Sequence, residues 1–122
     1  MTNATQIIQN YIAVWNETDP SRRDALLAEG WTDDAVYVDP LMQGEGRSQI
    51  SDLIGAVHDR FPGFRFTLDR AVDSYRDRIR FTWTLGPENE PDMIKGTDFC
   101  IVENGRLKAV TGFLDKLPTE AE

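Results

Sequence analysis

Between residues 3 and 17 the apolar side chains Ile7, Ile8, Tyr11, Ile12, Val14 and Trp15 recur at steps of three and four, the spacing of one face of an amphipathic helix. Asp19-Pro20-Ser21 then supplies a capping side chain and a proline suited to a first helical turn, and Gly30 is a natural stop, so a second helix is predicted over 21–29. Trp31 leads into an expected turn at Thr32-Asp33-Asp34. After it comes a short strand in which Val36 and Val38 alternate with Ala35, Tyr37 and Asp39, ending at Pro40, which cannot continue a central ladder. A Gly44-Glu45-Gly46 loop precedes a third helix over about 47–60, with Ile50, Leu53, Ile54, Val57 and Phe61 as its apolar stripe.

Past the Phe61-Pro62-Gly63 breaker the period changes from helical to two. Phe64, Phe66 and Leu68 alternate with Arg65, Thr67 and Asp69, and Ile79, Phe81, Trp83 and Leu85 alternate with Arg80, Thr82 and Thr84. The stretch Tyr75-Arg76-Asp77-Arg78 is the expected turn between these strands, and 86–91 reads as a loop. Two further strands, over 93–103 and 106–114, are joined by Asn104-Gly105, the strongest short hairpin signal in the chain. Residues 117–122 are expected to form a frayed tail. Helices first and strands afterwards make an α+β pattern, and 122 residues suit a single domain, 1–122, large enough for a core and one internal pocket.

Three polar side chains stand out against this pattern. Asp39 falls where a strand stops, so it is either a loop cap or an acid/base group at the mouth of a pocket. Tyr11 brings a phenol into an aliphatic helix face, where it serves the core with its hydroxyl bonded locally or meets a functional partner. Asp98 shares a strand face with Ile94, Gly96, Cys100 and Val102. Alternation puts its neighbour Lys95 on the opposite face, and apolar surroundings would raise the pKa of such an acid. His58, the only histidine, lies four residues after Ile54 and three before Phe61, which fits either a half-exposed structural residue or a pocket wall.

Composition narrows the function. Thirteen basic against twenty-one acidic residues give a net charge of −8, which repels phosphate backbones, so no nucleic-acid partner is expected. No apolar run approaches the ~20 residues that span a bilayer, so no membrane role is expected. The first residues lack a basic segment leading into an apolar one, and Cys100 has no intrachain partner, so a reducing cytoplasm is the expected location. One histidine and one distant cysteine give no metal-ligand spacing, and neither a metal nor another cofactor is expected.

The segments Tyr11-Ile12-Ala13-Val14-Trp15-Asn16, Asp33 to Pro40, Gly46-Arg47 and Asp98-Phe99 before Asn104-Gly105 resemble those of the nuclear transport factor 2-like superfamily, in its SnoaL-like and ketosteroid isomerase-like branch. The likeness covers residues 7–113. It implies a cone-shaped fold, helices packed on a curved antiparallel sheet around a pocket, with Asp39 matching a general base and Tyr11 and Asp98 matching two oxyanion donors. By this likeness the ligand is a small apolar carbonyl compound isomerised or cyclised through an enolate, as in ketosteroid isomerase. Trp15, Val57, His58, Phe81 and Trp83 are then expected at the pocket. The third helix has Leu53-Ile54-Gly55 where isomerases often carry a supporting tyrosine, which favours the alternative of a binding or dimerisation module without chemistry. The resemblance also implies a homodimer through the sheet face bearing Arg65, Arg80, Thr82 and Thr84.

Overall fold

The computed structural model describes residues 3–118. Helix α1 (Ala4–Asn16) begins at Asn3, whose side chain accepts the Gln6 N–H, and α2 (Pro20–Gly30) begins at Asp19, whose carboxylate accepts the Arg22 N–H. Each cap satisfies a backbone donor that the first turn leaves without a partner. Strand β1 (Trp31–Val38) follows α2 directly. The expected turn at Thr32-Asp33-Asp34 is absent: these residues lie in the strand, where a register irregularity between Trp31 and Val36 absorbs their poor fit to a ladder.

The expected Gly44-Glu45-Gly46 loop is also corrected. Gln43–Glu45 is a strand, β2, paired antiparallel to the end of β1 with Val38 opposite Gln43 and Tyr37 opposite Gly44. Asp39-Pro40-Leu41-Met42 is therefore a four-residue hairpin turn, closed by the Asp39 N–H donating to the Met42 carbonyl at 2.9 Å. Aspartate and proline at its first two positions suit a type I turn. Gly46, at φ +84°, then turns the chain into helix α3 (Gly46–Arg60), and Arg47 donates from Nε and Nη2 to the Trp31 carbonyl at 3.1 and 2.7 Å, tying the start of α3 to β1.

Strands β3 (Arg65–Leu68), β4 (Asp73–Tyr75), β5 (Arg78–Gly86), β6 (Ile94–Glu103) and β7 (Arg106–Lys116) complete a seven-stranded sheet in the order β2-β1-β7-β6-β5-β3, with β4 on β5. The sheet is mixed, because β1 runs parallel to β7 while the other pairings are antiparallel. Asn104 and Gly105 both take positive φ, as the tight β6–β7 hairpin requires. Ile8, Leu27, Trp31, Ile50, Ile54 and Phe81 fill the space between helices and sheet.

Alternation decides which strand residues face that space. On β1, Ala35 and Tyr37 point inward and Val36 and Val38 outward; on β6, Ile94, Gly96, Asp98 and Cys100 are buried. The outward face of β5 keeps Arg80 exposed but buries Thr84, so the polar outer surface is narrower than the sequence suggests. The end of the expected tail, residues 119–122, lies outside the described residues.

Candidate functional site

A cavity of about 820 Å³ opens between α1, the C-terminal part of α3 and the concave sheet. Its deep end is walled by buried Tyr11, Trp15, Tyr37, Trp83 and Asp98, and its mouth by exposed Leu41, Arg60 and Leu117.

Asp98 is only 2% exposed. Tyr11 donates its O–H to Asp98 Oδ2, and the Trp83 indole N–H donates to Oδ1 at 3.0 Å. The second bond depends on a missing side chain, because a Cβ on Gly96 would lie 2.1 Å from Cζ2 of Trp83; glycine lets the indole lie across β6 and reach the next inward position. Burial pushes the Asp98 carboxyl up to about 6, a rise that the Tyr11 and Trp83 bonds oppose and the negative charges of Asp39 and Asp115 reinforce. The Tyr11 hydroxyl is held well above its ordinary range by burial and then by the Asp98 charge, so it stays a donor at any ordinary pH. Its ring is fixed by a stacked Trp31 at 5.6 Å and by the edge of Phe81 at 5.2 Å.

Asp39 is half-buried and sits in quite different surroundings. Its Oδ1 accepts the backbone N–H groups of Leu41 and Met42 at 2.8 and 2.9 Å, and its Oδ2 accepts the Tyr37 hydroxyl at 2.7 Å. The residue thus caps its hairpin and also faces the cavity. Tyr37, in turn, is kept protonated by burial, then by the charges of Asp98 and Asp39.

The two acids meet across β7. A Cβ on Gly112 would fall 2.9 Å from Asp98 Oδ1, 3.3 Å from Asp39 Cβ and 3.4 Å from the Tyr37 hydroxyl, so glycine leaves room for all three groups. A buried acid with a raised pKa and a half-buried carboxylate on one apolar wall are equipped for proton transfer.

Of the eight residues picked out from sequence, Tyr11, Trp15, Asp39, Val57, Trp83 and Asp98 line this cavity. Phe81 and His58 do not. Phe81 is core: it pairs with Asp98 across the β5–β6 ladder and buttresses the Tyr11 ring. His58 lies about 100° around α3 from Val57, off the face that carries Val57, Arg60 and Phe61, and its Nε2 is buried without a hydrogen-bond partner among the described residues. Sequence reading missed Tyr37 and Gly112. Tyr37 shares the inward β1 face with Asp39 two residues on, and a glycine within an apolar strand signals a close approach, so both signals were present. Among the described residues no cluster of three or more His, Cys, Asp or Glu side chains is placed to hold a metal ion, and no helix is long and apolar enough to cross a membrane.

Comparison with known proteins agrees with this architecture. The family model of the SnoaL-like domain matches residues 8–110. Among solved structures, a proposed isomerase of the SnoaL-like family from Agrobacterium tumefaciens is 42% identical, with 94% of this chain aligned to 99% of that one at a TM-score of 0.88. A proposed ketosteroid isomerase from Kribbella flavida is 18% identical (98% of this chain, 82% of that one, TM-score 0.70), and a proposed SnoaL-like polyketide cyclase from Jannaschia is 14% identical (91% and 86%, TM-score 0.69); these two share the fold. No curated protein matches this chain.

Proposed function

The chain belongs to the family of SnoaL-like domains, and we propose that it is a cofactor-free acid/base enzyme that isomerises or cyclises a compact apolar carbonyl compound through an enolate. The observation that carries this reading is the meeting of two unequal carboxyl groups on one apolar cavity, Asp98 buried with a raised pKa and Asp39 open to the cavity. Unlike environments suit two acids to different roles.

Asp39 is the base. Its Oδ1 is occupied by two backbone N–H groups, while Oδ2 has the single Tyr37 bond and keeps a lone pair to take a proton from the carbon beside the carbonyl. The C–H electron pair becomes the enolate C=C, and the carbonyl π pair moves onto oxygen. Isomerisation finishes when Asp39 returns the proton to a different carbon; cyclisation finishes when the enolate carbon adds to a second carbonyl, whose π pair moves onto its oxygen, and that oxygen takes the proton back from Asp39. Tyr11 and Asp98 hold the enolate oxygen. When Asp98 is ionised, the Tyr11 hydrogen is spent on it. When Asp98 is neutral, the pair owns two hydrogens and needs only one for its mutual bond, so the other is free for the ligand. Filling the cavity removes water and brings developing negative charge to Asp98, both of which favour its neutral form.

The test is hydrogen exchange of small ketones in D2O, followed by proton NMR. The native protein should exchange protons beside the carbonyl, and Asp39→Asn should slow exchange about 10³-fold, within the range of a removed general base. Exchange at the native rate in that variant would sink the assignment. A ligand-binding module without chemistry is favoured by one observation, that the Tyr11 and Trp83 donors are both already satisfied by Asp98; ketones and phenols that bind with no exchange would select it.

The proposal extends to a homodimer formed through the outer sheet face. Exposed Val36 and Val38 on β1 adjoin Ala109 and Thr111 of β7 in register, with exposed Phe113 two residues on, an apolar patch that a second copy would cover. Light scattering should give twice 13.9 kDa, and a mass of 13.9 kDa at micromolar concentration would refute pairing.

A further inference from the structure

We propose that the natural ligand of this cavity carries a carboxylate at the end opposite its reacting carbonyl, and that Arg60 receives it at the mouth. The inference rests on reading the cavity as a ligand site and specifies the ligand's class. Val57 and Arg60 on the last turn of α3 and Phe61, its C-terminal cap, stand at steps of three and four, and all three line the cavity. Arg60 is the only basic side chain on the described wall, and it makes no ion pair among the described residues. Its guanidinium lies 5.6 Å from the Phe61 ring centroid, an apolar platform that limits its freedom and leaves its N–H donors at the cavity edge. Neighbouring Asp59 does not neutralise it, since Asp59 and Asp52 line a separate groove on the other side of α3.

Charge fixes the ligand's direction. Buried Asp98 would repel an anion at the deep end, and half-buried Asp39 offers it no cation, so an anionic group is best accommodated beside Arg60 at the mouth. A lone arginine in a chain of net charge −8 suits one negative charge better than two, and its planar fork matches a carboxylate. The apolar wall between the ends takes the hydrocarbon part of the molecule. The class is thus a carbonyl compound with an acidic tail, such as a keto acid with an extended apolar body.

The experiment uses hydroxyphenyl-alkanoic acids, from acetic to hexanoic, with their methyl esters, titrated calorimetrically into the full chain. Their phenol is the probe for the deep end and their carboxylate for Arg60. At the best chain length the acid should bind about fivefold tighter than its ester, the scale of a partly exposed arginine–carboxylate contact. That preference should shrink in added salt, fall to about one in Arg60→Gln and survive in part in Arg60→Lys. Esters that bind as tightly as acids at every length, or a preference that persists in Arg60→Gln, would overturn the proposal while leaving the cavity as a ligand site. If neither acid nor ester binds, both readings fall together. Unchanged circular dichroism of the variants excludes misfolding as the cause.

Discussion

Asp98 and Asp39 face each other across Gly112, yet they are built in opposite ways. Asp98 sits in the middle of β6 and is held by side chains, Tyr11 from α1 and Trp83 from β5, inside a region that water hardly reaches. Asp39 sits at the end of β1 and is held mainly by backbone, in a turn that its own carboxylate closes. Side-chain partners in a dry environment set protonation, because the cost of charge there is large and only partly offset. Backbone partners at a turn set position, because two N–H groups fix one carboxylate oxygen without removing solvent. The difference shows why one fold can hold two neighbouring aspartates in such unlike surroundings.

The largest effect that separates them is a pH dependence of stability. The folded-state pKa of Asp98 is raised from 3.8 to about 6, so the folded chain holds this proton more tightly than the unfolded chain does. The resulting contribution is fully present below 3.8 and is lost as pH rises through about 6; 1.36 kcal/mol per pKa unit makes it about 3 kcal/mol. Urea unfolding of native protein and Asp98→Asn should therefore diverge by about that amount between pH 4 and 7, with the variant gaining relative stability as pH rises. Parallel curves would mean that Asp98 titrates as an ordinary surface acid.

A smaller effect tests the other side of the comparison. Tyr37→Phe removes the one side-chain donor to Asp39 and leaves the two backbone donors in place, so Asp39 should keep its location and lose only part of its alignment. On a ketone that the native protein turns over, kcat should fall about fivefold with KM nearly constant, the cost of one hydrogen bond of roughly 1 kcal/mol. A fall equal to that of Asp39→Asn would show that Tyr37 takes part directly, and no fall would show that the turn alone positions the base.

Much of the fold was legible because its signals are local. The α1 stripe, the Asp19-Pro20 start of α2, the period-two strands and the Asn104-Gly105 hairpin each need only a few residues to be recognised, and periodicity alone put Tyr11 and Asp98 on apolar faces. The strand β2 was not legible, since residues of poor strand propensity enter a sheet only when a neighbouring strand offers its hydrogen bonds, nor was the extension of β1 through Thr32-Asp33-Asp34, which lies in the irregular stretch between the Trp31 and Val36 pairings. The same holds at the site. Sequence determined that an acid ends β1, that another interrupts an apolar strand and that a tyrosine lies on a helix face. Tertiary structure decided that Tyr11 and Trp83 converge on Asp98, that Tyr37 reaches Asp39, that Gly112 leaves space between the acids, that Phe81 packs behind Tyr11 and that His58 is off the cavity wall. Face assignment follows from chain geometry a few residues at a time, whereas convergence depends on strand order and register across residues up to 87 positions apart, which no local pattern encodes.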